Sequence, residues 1–445
     1  MRYEKERKGE KRANVKTEIE PPRQQTAETQ ATRLRRYFSP RRVIVAAIRI
    51  ALVLQAITLV ALEVIAVLRE RHMKRMKKEA FPYPDLHEVE VGENRLQLYV
   101  SGNELFPDML AAIDSARESI YLESYIWKDD AIGQEMKNRL IHKAEQGVHV
   151  YVIFDGFGNL VVPHSFKVFP PSIHALEYRP IQRPWHLLDP RRYALDHRKL
   201  LIVDGYTGFI GGYNLGKTFA TEWRDTHLRI EGPAAANLAH AFISFWNRSL
   251  PRDTIPHRYL RHFDPLINVR GNDAARLTFP IRDMYIDASE QAEQSIRLTN
   301  AYFVPDRILL GALKAACKRG VDVRIVVPWA SNHIVVEWLA RGYFTECLRA
   351  GIRVFGYRHT MLHAKTCTVD GQWSTVGTAN LDRLSSIGNY EINVEIFSVD
   401  VARQMEKVFE YDTADAVELT LDYWTGRPWY AKFGESIIAP LRYLL

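Results

Sequence analysis

The chain of 445 residues is 47 % hydrophobic and carries a formal net charge of +7, which excludes a disordered protein and allows a large buried core. The charge is unevenly placed: residues 1–80 hold 20 Lys and Arg against 9 Asp and Glu, a net of +11, while residues 81–445 hold 40 against 44, a net of −4. A body of that sign lacks the basic face that tracks nucleic-acid phosphates, and its three cysteines are too few and too irregularly spaced for a disulfide framework or a metal site.

Residues 1–42 are charged and poor in large apolar side chains, so a disordered basic region is expected there. Residues 43–68 are apolar except for Arg49 and Glu63, and arginines and lysines flank them on both sides. A membrane-associated or transmembrane helix is expected, with Arg49 reaching toward its nearer interface. The 13 uncharged residues between those two charges make about 20 Å of helix against a hydrocarbon core of about 30 Å, so spanning and interfacial placements both fit. Residues 69–95 read as a basic linker.

Residues 96–265 and 266–412 read as two copies of one α/β unit. In the first, the runs Glu118–Glu123 and Gly147–Asp155 are strands separated by a periodic helix; in the second, Gln294–Thr299 and Gly320–Pro328 stand in the same relation. Strands alternating with helices imply sheets flanked by helices, here two repeats packed as a pseudo-dimer.

Each copy then carries His-x-Lys-x4-Asp: His197, Lys199 and Asp204 in the first, His363, Lys365 and Asp370 in the second, 166 residues apart. The two-residue spacing puts imidazole and ammonium on one face of a strand. A histidine so placed can attack phosphorus or protonate a leaving oxygen, while a lysine neutralises the phosphoryl oxygens. The aspartates follow their lysines at an odd offset, on the opposite face, where they tie down the strand end while still belonging to the catalytic motif. Seventeen residues after each histidine stands an asparagine, Asn214 or Asn380, preceded by glycine-containing runs that let backbone approach an anion. With Thr378 they form the expected phosphate-binding set. Twenty-eight residues after each histidine stands a carboxylate, Asp225 or Glu391, expected to orient an imidazole through its second N–H. His227 reads as a strand residue. The final stretch, 413–445, is expected to be a tail whose aromatic run from Trp429 either meets a membrane interface or packs on the body.

These motifs, with Tyr125–Gly133, Asp155–Gly158, Tyr302–Asp306 and Gly377–Ser385, resemble the phospholipase D (HKD) superfamily and, within it, bacterial cardiolipin synthases. The resemblance runs from about Leu96 to the end; Thr378 departs from it, since the family more often has Ser there. It implies a phosphatidyltransferase that joins two phosphatidylglycerol molecules into cardiolipin and glycerol, with His197 as nucleophile and His363 as acid and base. It also implies a bacterial inner-membrane location, and the cysteines, read as reduced, put the catalytic body on the cytoplasmic side. No cofactor or metal is expected; the partners are phospholipid and membrane rather than nucleic acid, and no residue pattern fixes an oligomeric state. A phosphodiesterase using water as acceptor, or a non-catalytic scaffold, are the competing readings.

Overall fold

The computed structural model describes residues 40–75, 81–181, 184–259, 261–414 and 416–443, so most of the expected disordered region lies outside the described residues. The chain divides into two units, Met1–Ala56 and Ile57–Leu445. The described part of the first is helical from Pro40, and its aliphatic side chains are exposed apart from a half-buried Leu54. The apolar helix is longer than its apolar stretch, running from Pro40 to Arg75. Arg41 and Arg42 at one end and Arg69–Arg75 at the other belong to it, because neither glycine nor proline interrupts the chain there. The stretch Arg41–Arg69 is long and apolar enough to cross a membrane. In the second unit one stripe of it is docked: Leu62 is 2 % exposed, with Leu59 and Ala66 packed beside it at helical spacing, and Arg69 reaches Glu337 at 2.9 Å.

The strands of the second unit are, in chain order, β1 (Val89–Val91), β2 (Asn94–Tyr99), β3 (Ser119–Ser124), β4 (His149–Asp155), β5 (Ile173–Tyr178), β6 (Leu200–Val203), β7 (Thr207–Gly211), β8 (Trp223–Arg224) and β9 (His227–Glu231). The second half continues with β10 (Ile267–Asn272), β11 (Ser295–Asn300), β12 (Asp322–Pro328), β13 (Arg353–Tyr357), β14 (Met361–Leu362), β15 (Lys365–Val369), β16 (Trp373–Gly377), β17 (Glu391–Phe397) and β18 (Val417–Leu419). Sixteen of them build two eight-stranded sheets, β1-β2-β9-β7-β6-β3-β4-β5 and β10-β17-β16-β15-β11-β12-β13-β18, and β8 pairs with β14 alone. Beyond the edge strands β1 and β18 the two orders are the same element for element, so the internal repeat is a repeat of topology.

Strands β3, β4, β11 and β12 sit within these sheets, with most of their residues buried, and β4 and β12 carry the longest apolar runs. Helices between them are closed by local signals: Asp130 caps Ala131–Glu145, and Asp306 caps Arg307–Arg319, which ends at Gly320 with φ +95°. One core cluster belongs to both repeats: Ile210, Leu228 and Ile230 of the first meet Val376, Ile392 and Val394 of the second around the helix Ala235–Ser249.

Two boundaries differ from expectation. The linker ends in structure, since β1 and the start of β2 fall within residues 69–95. The expected tail is part of the body: β18 pairs with β13, and Trp424 is buried beside Phe344. The helix Trp429–Ile438 turns Ile438 into that body and leaves Trp429, Tyr430 and Phe433 exposed.

Candidate active site

His197 and His363 do not lie within strands. Each occupies the irregular segment leading into β6 or β15, because its backbone bonds across to the other repeat instead of to its own sheet. The N–H of His197 donates to the Tyr390 carbonyl at 3.0 Å, and that of His363 to the Arg224 carbonyl at 2.7 Å. The short parallel pair of β8 and β14 is part of the second crossing.

The side chains cross as well. Nδ1 of His197 lies 3.0 Å from the carboxylate of Glu391, and Nδ1 of His363 lies 2.6 Å from Oδ2 of Asp225. Each carboxylate therefore orients the histidine of the opposite repeat, not the one it follows by 28 residues. Nδ1 engaged in this way leaves Nε2 of both rings for chemistry. Both lysines bend back to their own motif: Nζ of Lys199 donates to the His197 carbonyl at 2.6 Å and Nζ of Lys365 to that of His363. Histidines, lysines and carboxylates are all buried.

Burial sets the electrostatics. It pushes His197 well below the usual imidazole range, helped by Lys199 and Lys365, and takes His363 down to about 3. It also lowers Lys199 to about 7 and Lys365 to about 8. The two carboxylates separate. Burial pushes Glu391 up to about 8 against the pull of Lys199, whereas at Asp225 burial is outweighed by Lys365 and His363, which hold it at about 2. The halves match in geometry and differ in charge.

The other expected site residues divide. Asn214 accepts the Ile126 N–H on Oδ1 at 3.2 Å, which leaves Nδ2 as its donor end. Oδ1 of Asn380 is buried without a partner among the described residues, so that end of its amide is not committed to the frame. Thr378 faces away from the phosphate role: its hydroxyl donates to Glu391 at 2.5 Å and accepts the Ile392 N–H at 3.0 Å, fully buried. The glycine run likewise serves the protein's own anion, since a Cβ on Gly212 would stand 2.0 Å from Oδ1 of Asp225. Asp204 and Asp370 are remote from the imidazoles, at the far ends of β6 and β15. At φ +51° and +53° each gathers three backbone N–H groups, from Arg117, Glu118 and Ser119 or from Glu293, Gln294 and Ser295. They fasten β6 to the turn before β3 and β15 to the turn before β11. His227 is a buried strand residue, pushed by burial to about 3.

Three aromatic walls had no role assigned from the sequence, although Tyr125 and Tyr302 open two of the segments that carry the resemblance. Tyr125 packs on His197 with ring centres 4.8 Å apart, Trp223 on His363 at 4.9 Å, and Tyr302 on His363 at 6.0 Å. Trp223 stands two residues before Asp225, an offset from a motif carboxylate that offered the signal. Behind His197, Arg198 points the other way into a buried cluster with Glu123 and Asp196, and stacks 4.2 Å over Phe245. Among the described residues no group of three or more His, Cys, Asp or Glu is placed to hold a metal ion.

Comparison with known proteins agrees with this architecture. The family model described as "Cardiolipin synthase, PLD-like domain" matches residues 109–246 and 285–413, one segment in each repeat. The chain is 32 % identical over 368 residues to the major cardiolipin synthase ClsA of Bacillus subtilis, covering 79 % of this chain and 75 % of that protein. It is 33 % identical over 361 residues to a cardiolipin synthase of Staphylococcus aureus, covering 78 % and 72 %. The crystal structure of a phosphatidylserine synthase from Haemophilus influenzae shares the fold, with a TM-score of 0.60 at 14 % identity over 81 % of this chain and 95 % of that one. The chain therefore belongs to the cardiolipin synthase family of the phospholipase D superfamily and is an enzyme of the phosphatidyltransferase class.

Proposed function

We propose that the enzyme forms cardiolipin and glycerol from two molecules of phosphatidylglycerol through a phosphohistidine on His197. The observation that carries this reading is the pair of crossed imidazole–carboxylate contacts, each with a lysine bonded to the carbonyl of its histidine. Nε2 of neutral His197 attacks the phosphorus of the first lipid; the N–P bond forms as the bond from phosphorus to the glycerol oxygen breaks. His363 gives its proton to that oxygen, and glycerol leaves. The free hydroxyl of the second phosphatidylglycerol then loses its proton to His363 and attacks phosphorus, the N–P bond breaks, and both histidines return to their starting states.

The unequal carboxylates support this division of labour. Asp225, held ionised, opposes the burial that takes His363 down to about 3 in the unliganded site, and the bound phosphodiester adds the negative charge with which the ring takes up the proton it gives. Glu391, pushed upward, offers less charge to His197 and leaves it the neutral ring that a nucleophile needs. Lys199, Lys365, Asn214 and Asn380 are assigned to the phosphoryl oxygens, and the anion strengthens the charge of both lysines. The net charge of −4 on residues 81–445 supports lipid over nucleic acid as substrate, and the helix Pro40–Arg75 supports a membrane location. The three free cysteines fit a catalytic body on the cytoplasmic side.

Incubation of the purified protein with labelled phosphatidylglycerol tests the reaction: cardiolipin and glycerol are expected in equal amounts. Phosphatidic acid as the main product would make water the acceptor. Denaturation in detergent at mildly alkaline pH during turnover, where the N–P bond survives, should trap phosphorus label on His197, and label on His363 instead would reverse the two roles.

A further inference from the structure

The first repeat carries an apolar rim beside its histidine. Strands β3, β4 and β5 are parallel, pairing Ser124 with Phe154 and Asp155 with Tyr178, so their carboxyl ends share one edge of the sheet. Strand β6 runs antiparallel to β3, with Leu200 opposite Glu123, and begins at that same edge directly after His197 and Lys199. The loops leaving β4 and β5 there expose Phe157, Leu160, Val161, Trp185 and Leu188; Val161 is 82 % and Leu188 87 % exposed.

The first of these loops is held by a frame that ends on the catalytic ring. Oδ1 of Asp155 accepts the N–H groups of Phe157 and Gly158, both at 2.8 Å. Asn159 accepts the Trp127 N–H at 2.8 Å and donates to the Tyr125 carbonyl at 2.9 Å. A Cβ on Gly158 would come within 2.3 Å of that carbonyl, so the loop is seated directly on Tyr125, whose ring packs on His197. A well-bonded loop that holds large aliphatic side chains in water marks a surface for something apolar. Charge narrows the partner: residues 177–193 include Arg179, Arg191 and Arg192 against Glu177 and Asp189, and Glu177 pairs with Arg179 and Asp189 with Arg191, which leaves a basic excess. Aliphatic and Trp side chains flanked by arginine suit an anionic lipid interface better than a protein face.

We propose that this rim is the bilayer contact of the catalytic cleft, with Phe157, Leu160, Val161, Trp185 and Leu188 entering the interfacial layer of a phospholipid membrane and the neighbouring arginines meeting anionic headgroups. The proposal rests on the reading that the substrate is phospholipid. It explains how a phosphodiester reaches the histidines while its acyl chains stay out of water, since every methylene lifted into water is disfavoured.

The test uses the full-length protein with Leu160→Ser and Val161→Ser combined, assayed on phosphatidylglycerol vesicles and on monomeric short-chain phosphatidylglycerol. Turnover on vesicles should fall about ten-fold or more, as expected from losing two aliphatic insertions, with the short-chain rate unchanged. Independently, Val161→Cys carrying an environment-sensitive dye should shift to the blue when vesicles are added. Glu145→Cys, exposed at the opposite edge of the sheet, should not; Cys347 and Cys367 are buried, and labelled wild type corrects for Cys317. An unchanged vesicle rate without a dye shift overturns the proposal. Equal losses on both substrates also overturn it, by making the loop a support of Tyr125. A change of oligomeric state in detergent with the vesicle rate intact assigns the rim to a second copy of the chain. The dye reads contact without turnover, so failure of the wild type to make cardiolipin counts against the proposed reaction and not against the rim.

Discussion

Glu391 and Asp225 illustrate how equivalent positions in a repeat acquire different chemistry. Both sit 28 residues after a histidine and both bond Nδ1 of an imidazole, yet burial raises one while Lys365 and His363 lower the other. His197→Ala and His363→Ala should each lower kcat by about a thousand-fold or more with the far-ultraviolet spectrum unchanged, since neither imidazole can do both steps. Asp225→Asn should slow turnover more than Glu391→Gln, because an ionised partner is lost in the first case and a largely protonated one in the second. Equal effects of the two amides would remove the electrostatic basis for assigning roles. The lysines predict the alkaline side of the pH profile. Lowered by burial to about 7 and about 8 from an ordinary value of 10.5, Lys199 and Lys365 lose charge as pH rises through that window, so kcat/KM should fall there. With the anion bound both are raised again, and kcat should hold to higher pH. A limb of kcat/KM near pH 10 would show that these lysines are not desolvated.

At the scale of elements, the strands of the repeat were legible from short β-branched, aliphatic and aromatic runs that recur in both halves beside a periodic helix: Glu118–Glu123 was expected where β3 is Ser119–Ser124, and Gly320–Pro328 where β12 is Asp322–Pro328. The segments bearing the histidines were not, because what stops them joining a ladder is a carbonyl about 140 to 190 residues away, and period-2 patterning holds no trace of such a partner. The partners of Thr378 were hidden for a related reason: a hydroxyl near a phosphate motif and one bonded to a carboxylate, as this one is to Glu391, look alike in sequence. The apolar helix was recognised from its composition, but its docked stripe was not, as Leu59, Leu62 and Ala66 differ in no way from the aliphatics around them. That stripe separates two truncations. Removing residues 1–56 keeps Leu62 in its pocket and Arg69 on Glu337, and should leave stability nearly unchanged. Removing residues 1–80 empties that pocket and should cost about 2–5 kcal/mol, the range for losing a large buried aliphatic side chain. Thermal unfolding in detergent measures both; equal stability would show that the stripe contributes nothing.

Across the whole molecule the repeats are joined by more than the shared apolar core. Arg224, beside Asp225 in the first, holds Asp412 in the last long helix of the second through bonds of 3.1 and 2.7 Å, and both side chains are almost completely buried. Its guanidinium also bonds the Asp225 carbonyl at 2.8 Å, while its own carbonyl receives the His363 N–H. Asp412→Ala should destabilise the protein by about 3–5 kcal/mol, since it leaves a buried guanidinium unpaired. The double variant Arg224→Met with Asp412→Leu should recover much of that loss in denaturant midpoint while turnover stays impaired, because the Asp225 frame is not rebuilt. Recovery of turnover as well would reduce the pair to a strut with no bearing on His363.

The crossed carboxylates also bear on how the enzyme comes into being at the ribosome. His197 and Glu391 are 194 residues apart in the chain, which at about 5–20 residues per second is roughly ten to forty seconds of synthesis. Through that interval the leading apolar helix has already emerged and can reach lipid, while His197 lacks the carboxylate that sets its tautomer and, for most of it, His363 has not yet been made. A nascent or prematurely ended first repeat is thus chemically silent beside the membrane. Reactivity toward phospholipid switches on only when the last strands of the second repeat close over the first.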